Sequence, residues 1–98
     1  MFVFAHLQYK DIKNPNKRLS LKSYNYRSEH WVIVKGTGKV VLGTEEIILQ
    51  KNDHIYIPSK MLHRMENIAV DLLEFTETQI GEYLGEDDII RDQDDVGM

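Results

Sequence analysis

The sequence predicts an all-β fold, a small sandwich or barrel, on three observations. Its apolar stretches are short and rich in β-branched and aromatic residues, and turn-forming residues separate them at close intervals. Before residue 80 no stretch sustains an apolar 3.6-residue period over three turns. A chain of 98 residues with 42% hydrophobic content suffices for one compact core and not for two, which implies a single domain.

Taken in order, the opening FVFAHL reads as a strand with no obvious partner in the chain. Turn-prone NPNK follows it. The runs LSLKSY, EHWVIVKG, KVVLG, EEIILQ, HIYIP and VDLLEFTETQ then read as strands, parted by GTG, GT, KND and PSK. Gly43-Thr44 lies between two apolar runs and suits a two-residue hairpin turn whose first position needs positive φ. Near the C-terminus EDDIIRD is expected to add at most a short helical turn, and the polar RDQDDVGM to fray unless something docks it.

Composition excludes several classes. There is no cysteine, so disulfides and thiolate metal sites are out, and a transition metal would need His and carboxylate ligands. The apolar start of MFVFAHLQYK is too short for a signal-peptide core or a membrane span, so a soluble, cytoplasmic protein without a membrane partner is expected. The net charge of -4 conceals a gradient: residues 1–40 carry eight Lys and Arg against two acids, whereas residues 82–95 carry seven acids against Arg91. A nucleic-acid binder would gather its cations without a compensating acidic segment, so no nucleic-acid partner is expected. A few of these cations suit an anionic small molecule such as a sugar phosphate.

In RSEHWVIVKG, alternation puts Glu29, Trp31 and Ile33 on one face and His30, Val32 and Val34 on the other. Both faces are largely apolar, which predicts a strand covered on both sides, by the interior and by another sheet or subunit. Glu29 then enters the interior, where a lone carboxylate needs a cation or hydrogen-bond donors. In NDHIYIPSKMLHRMEN a strand, a Pro-led turn and a second strand opening with His63 send the chain back, so that His63 is expected to face the same cavity as Glu29. A lone histidine at a strand start is more often a surface or hydrogen-bonded residue than a ligand.

These residues resemble a known family. Glu29 followed by Gly36 looks like the second half of the first cupin motif, and Pro58-x-Lys60-x-x-His63-x-x-x-Asn67 looks like the second, with Lys60 where glycine is usual. More narrowly, RLSLKSYNYRSEHWVIVKGTGKV, YIPSKMLHRMEN and GEYLGEDDIIR are similar to the C-terminal isomerase domain of the bifunctional mannose-1-phosphate guanylyltransferase and mannose-6-phosphate isomerase proteins. The resemblance implies a small single-domain cupin, a jelly-roll β-barrel. It divides the chain into an N-terminal strand or arm (1–16), a cupin core (17–81) and an acidic C-terminal segment (82–98). It also implies a divalent metal, zinc or similar, and interconversion of mannose 6-phosphate and fructose 6-phosphate. The family's transferase domain, with its Gly-rich nucleotide loop, has no counterpart in these 98 residues.

The first motif departs from the family. Where the family usually reads Gln-x-His-x-His-Arg-x-Glu-His-Trp, this sequence has Lys22, Tyr24 and Tyr26 before Arg27, Glu29, His30 and Trp31. Two imidazoles and an amide are replaced. The expected site has Glu29, His63 and Lys22 as catalytic groups, and Arg27, Arg64 and Tyr24 on the substrate, with Lys22 and Tyr24 standing where the family has Gln and His. Its metal site, weak or absent, has Glu29 and His63, with His30 on the wrong strand parity unless the strand bulges. Aldose-ketose isomerisation needs a base near the carbon acid and an electrophile for the enediolate oxygen, and a catalytic zinc normally takes three protein ligands. The Lys22 ammonium, on the face of Tyr24 and Tyr26, either sits near Glu29 in the metal's place or snorkels to solvent. The competing reading is a non-catalytic sugar-phosphate-binding or dimerisation module. A homodimer is expected, since the two apolar faces of Trp31 to Val34 and the unpaired opening strand are both relieved by a second copy.

Overall fold

The computed structural model of the chain describes residues 4–12 and 17–91. Its strands are β1 (Phe4–Ile12), β2 (Lys22–Tyr24), β3 (Arg27–Lys35), β4 (Gly38–Leu42), β5 (Glu45–Leu49), β6 (His54–Ile57), β7 (His63–Asn67), β8 (Leu73–Gly81) and β9 (Ile89–Arg91). A 3-10 turn covers Glu86–Asp88, and no α-helix occurs among the described residues. Accordingly, no described helix is long and apolar enough to cross a membrane.

One antiparallel sheet has the order β1-β8-β3-β6, the other β5-β4-β7-β2-β9. The chain changes sheet at every connection except the β4–β5 hairpin, the jelly-roll arrangement. In that hairpin Leu42 pairs with Glu45 across Gly43-Thr44, and Gly43 has a φ of +61°, a conformation open to glycine without steric cost. The Pro-led turn after β6 holds Lys60 at a φ of 70°, where the resembled motif has glycine, and its N–H donates to the Tyr24 carbonyl at 2.6 Å. That bond ties the turn to β2.

Strand alternation builds the interior. Ile33, Leu73, Phe75, Val40, Met65, Leu49, Ile55 and Ile57 come from both sheets and form the apolar core with Trp31 and Ile12. Asn67 closes the far end of β7: its side-chain amide donates to the carbonyls of Ile12 and Asp71 and its oxygen accepts from Ala69 N. This side-chain-held turn delays β8 to Leu73, three residues later than the apolar run in the sequence begins.

Several expectations need correction. FVFAHL has a partner within the chain: β1 pairs in unbroken register with β8, from Phe4 opposite Gly81 to Ile12 opposite Leu73. Such pairing across more than sixty residues leaves no local signal. The short turn expected in EDDIIRD is present at Glu86–Asp88, but a strand, β9, follows it, because the buried Asp88 carboxylate accepts from Asn25 N and Tyr26 N and brings Ile89–Arg91 alongside β2. The LSLKSY strand shortens to Lys22–Tyr24, with Arg18 forming an isolated bridge to Glu66. Within one chain the outer face of β3 is open, with Val32 and Val34 exposed. The expected NPNK turn falls mostly, and the fraying of RDQDDVGM almost wholly, outside the described residues.

Candidate active site

The inward residues of β3 change character along the strand, from Ile33 and Trp31 to Glu29 and Arg27, and those of β8 change in step, from Leu73 and Phe75 to Glu77 and Gln79. Antiparallel register sets Trp31 opposite Glu77 and Glu29 opposite Gln79, so the polar ends coincide. On the facing sheet His63 begins β7, paired with Lys22 of β2 and Leu42 of β4. The result is a buried polar cluster at one end of the space between the sheets.

Glu29, 2% exposed, is its centre. Trp31 Nε1 donates to Glu29 Oε1 at 3.2 Å, His63 Nε2 lies 3.4 Å from the same oxygen, and Arg27 Nε lies 3.4 Å from Glu29 Oε2. Arg27 also donates from Nη1 to the Leu84 carbonyl at 3.2 Å, and its guanidinium stacks on the Tyr24 ring, 3.4 Å from the centroid. His63 Nδ1 is 2.9 Å from the Met61 carbonyl. A carbonyl only accepts, so Nδ1 carries a hydrogen, and Nε2 is the ring atom turned to Glu29. Nε2 is buried without a hydrogen bond of good geometry, as is Glu29 Oε2. Nε2 faces the other carboxylate oxygen, Oε1, whereas Oε2 faces Arg27 Nε, so each unsatisfied atom lies against an ionic partner rather than a well-aligned donor.

Electrostatics follow from this packing. Burial pushes the Glu29 carboxyl up, but the His63 imidazole, with Arg27 and Lys10, outweighs burial and holds it below the usual carboxylate range. Glu77, the second buried carboxylate, accepts from Gln79 Nε2 at 2.7 Å and pairs with Lys10 Nζ at 3.3 Å. The Lys22 ammonium lies 5.9 Å from the Tyr24 ring centroid. Burial, and then the Lys10 charge, lower its pKa, while Glu77 and Glu29 act in the opposite direction.

A cleft of about 480 Å³, lined by His6, Gln8, Gln79 and Tyr83 among others, opens at this end. It does not itself reach Glu29 or His63. Gln79 joins the two, standing in the cleft wall, opposite Glu29 and bonded to Glu77. Ala5, Leu84 and Gly85 complete a mostly apolar lining beside these polar groups, a mix that suits a ligand with both C–H and hydroxyl faces.

Of the residues singled out in the sequence, Glu29, His63, Arg27, Tyr24 and Lys22 are brought together. Two are not. His30 points outward and lies against Tyr56, with ring centroids 4.8 Å apart, because β3 keeps its register there and bulges only between Ile33 and Lys35. Arg64 follows His63 directly and so takes the opposite face of β7. Tyr26 is exposed beyond the end of β2 and does not share the face of Lys22. Glu77, Gln79 and Lys10 were missed, although the alternation in EFTETQ already places Glu77 and Gln79 on the face of Phe75.

These donors fit a catalytic divalent metal poorly. Glu29 and His63 converge, but Glu77 is engaged by Gln79 and Lys10, and no group of three His, Asp or Glu side chains converges among the described residues. Three protein ligands are the norm for a catalytic zinc.

Comparison with known proteins places this geometry in context. Residues 5–94 match the family described as mannose-6-phosphate isomerase, C-terminal. The chain is 49% identical over 81 residues to a mannose-1-phosphate guanylyltransferase of Sinorhizobium fredii, covering 83% of this chain and 16% of that protein. It is 45% identical over 83 residues to the xanthan biosynthesis protein XanB of Xanthomonas campestris, covering 85% of this chain and 18% of that one. The chain thus spans less than a fifth of the length of these relatives. Among solved structures, a cupin 2 conserved barrel domain protein from Rhodopseudomonas palustris superposes with a TM-score of 0.78 at 16% identity, over 93% of this chain and 60% of the other. The fold is therefore a cupin barrel.

Proposed function

From its membership of the mannose-6-phosphate isomerase C-terminal family, we propose that this chain is a cupin that binds a sugar phosphate and interconverts mannose 6-phosphate and fructose 6-phosphate. The reaction would serve polysaccharide precursor synthesis, the setting that the name of the XanB relative indicates. The observation that carries the reading is the buried Glu29–His63 pair, 3.4 Å apart and next to a cleft suited to a polyol.

Isomerisation moves one proton from the carbon beside the carbonyl to the carbonyl carbon and a second from the hydroxyl oxygen to the carbonyl oxygen, so it needs groups that take up and return protons at both places. Glu29 and His63 share that task in this reading. The Nδ1–H bond to Met61 fixes the imidazole so that Nε2 faces the carboxylate. Arg27 and Trp31 hold the carboxylate in place, and Gln79 orients substrate hydroxyls at the cleft wall. A bound divalent metal would add Lewis acidity at the substrate oxygen, but the donor set does not provide for one.

The second reading, a non-catalytic sugar-phosphate-binding module, is favoured by one observation: among the described residues, two potential metal donors converge and not three. A coupled assay for fructose 6-phosphate, with calorimetric titration of mannose 6-phosphate, separates the two. Turnover that disappears in Glu29→Gln supports the isomerase; saturable binding without turnover supports the module; neither binding nor turnover overturns both.

A further inference from the structure

Charges in the polar half of the interior do not balance pair by pair. Arg27 is matched to Glu29 and Lys10 to Glu77, each within 3.4 Å. Lys22 forms no salt bridge with either carboxylate among the described residues, and it is half-buried. It stands directly across from His63 in the β2–β7 pairing, with its ammonium over the ring of the buried Tyr24, which also carries the Arg27 guanidinium. The cluster therefore carries one more positive charge than negative, and His63 Nε2 and Glu29 Oε2 are among its buried atoms without a hydrogen bond.

We propose that the Lys22 ammonium takes the place of a divalent cation in this site, keeping such ions out and supplying the fixed positive charge that receives a ligand oxygen. A divalent ion binding between Glu29 and His63 would meet Lys22 and Arg27 with only one carboxylate directly available to it. An electron-rich oxygen meets the opposite field. In the isomerase reading, on which this second half of the proposal rests, that oxygen is the substrate carbonyl as it gains charge, and Lys22 stabilises it by donating a hydrogen bond without bond formation or net transfer. Because a lysine ammonium is compact and has three donors, it can follow the oxygen as the substrate changes geometry.

Zinc titration of the full chain by calorimetry, with no sugar present, tests the first half. The expected result is no saturable binding below millimolar zinc for the unaltered protein, the same for Lys22→Arg, and affinity at least tenfold tighter for Lys22→Gln. Tight stoichiometric zinc binding by the unaltered chain overturns the proposal, as does a folded Lys22→Gln no tighter than its parent. Lys22→Met replaces Lys22→Gln if the latter loses its thermal unfolding transition. A measurement that needs no variant is the binding of mannose 6-phosphate by the unaltered chain before and after treatment with EDTA. Unchanged binding agrees with the proposal, and loss of binding overturns it. Absence of sugar-phosphate binding alongside the expected zinc results sinks the proposed function but leaves metal exclusion by Lys22 standing.

Discussion

At one end of the space between the sheets, Ile33, Leu73, Phe75, Val40 and Met65 pack as an ordinary apolar core. At the other end the next inward residues of the same strands are Glu29, Arg27, Glu77, Gln79 and His63. Trp31 marks the boundary, its ring 5.5 Å from that of Phe75 and 5.4 Å from that of His63, while its indole N–H donates to Glu29. Strand parity decides which side chains enter the interior, and position along the strand decides which chemistry they meet. The apolar half is sufficient reason for the fold to form. The polar half costs desolvation that its internal pairs only partly recover, as expected of residues retained for what they bind.

Substitutions in the two halves should therefore fail differently. The largest loss of stability is expected for Phe75→Ala, which opens a cavity among fully buried side chains and should cost about 4 kcal/mol, read as a lower urea midpoint. Sugar-phosphate binding by the protein that remains folded should change little. Arg27→Met should cost about 3 kcal/mol, because Glu29 stays buried without its guanidinium. Adding Glu29→Gln to that variant should recover much of the loss; equal midpoints for the single and double variants would show that the Arg27–Glu29 pair is not what the polar half depends on.

Glu29→Gln alone should cost about 3 kcal/mol of stability, because the Arg27 guanidinium stays buried without its carboxylate, while lowering turnover by roughly a hundredfold or more. A variant that loses stability and activity in proportion would mean that Glu29 is only a structural group. The smallest effect expected is on acid stability. Since the folded protein holds the Glu29 carboxyl below its usual range, the unfolded chain takes up this proton first as pH falls. The stability from Glu29 is thus complete above the ordinary carboxylate pKa and drains away as pH falls through the folded value. Midpoints of the parent and Glu29→Gln should keep their separation from neutral pH to about pH 5 and converge only on acidification below the ordinary carboxylate pKa of about 4.3.

How much of this was legible depended on range. Period-two alternation in EHWVIV and EFTETQ announces both the strands and the inward set, and the parity that excludes His30 can be read from EHW alone. The same rule excludes Arg64, since it directly follows His63. What stayed hidden was pairing at long range. Nothing near FVFAHL points to residues 73–81, so the place of Lys10 beside Glu77 was invisible, and β9 is only three residues long and flanked by acids. Asp88, which docks that segment by accepting two backbone N–H groups, looks in sequence like one more member of an acidic run.

The central claim, that the polar half moves a proton between adjacent sugar carbons, is tested most directly by incubating the intact chain with mannose 6-phosphate in D2O and following the sugar carbons by NMR. Deuterium entering C1 of fructose 6-phosphate or C2 of mannose 6-phosphate, and absent with Glu29→Gln, is the predicted result. Sugar phosphate recovered without deuterium at either carbon after prolonged incubation with folded protein would contradict the account.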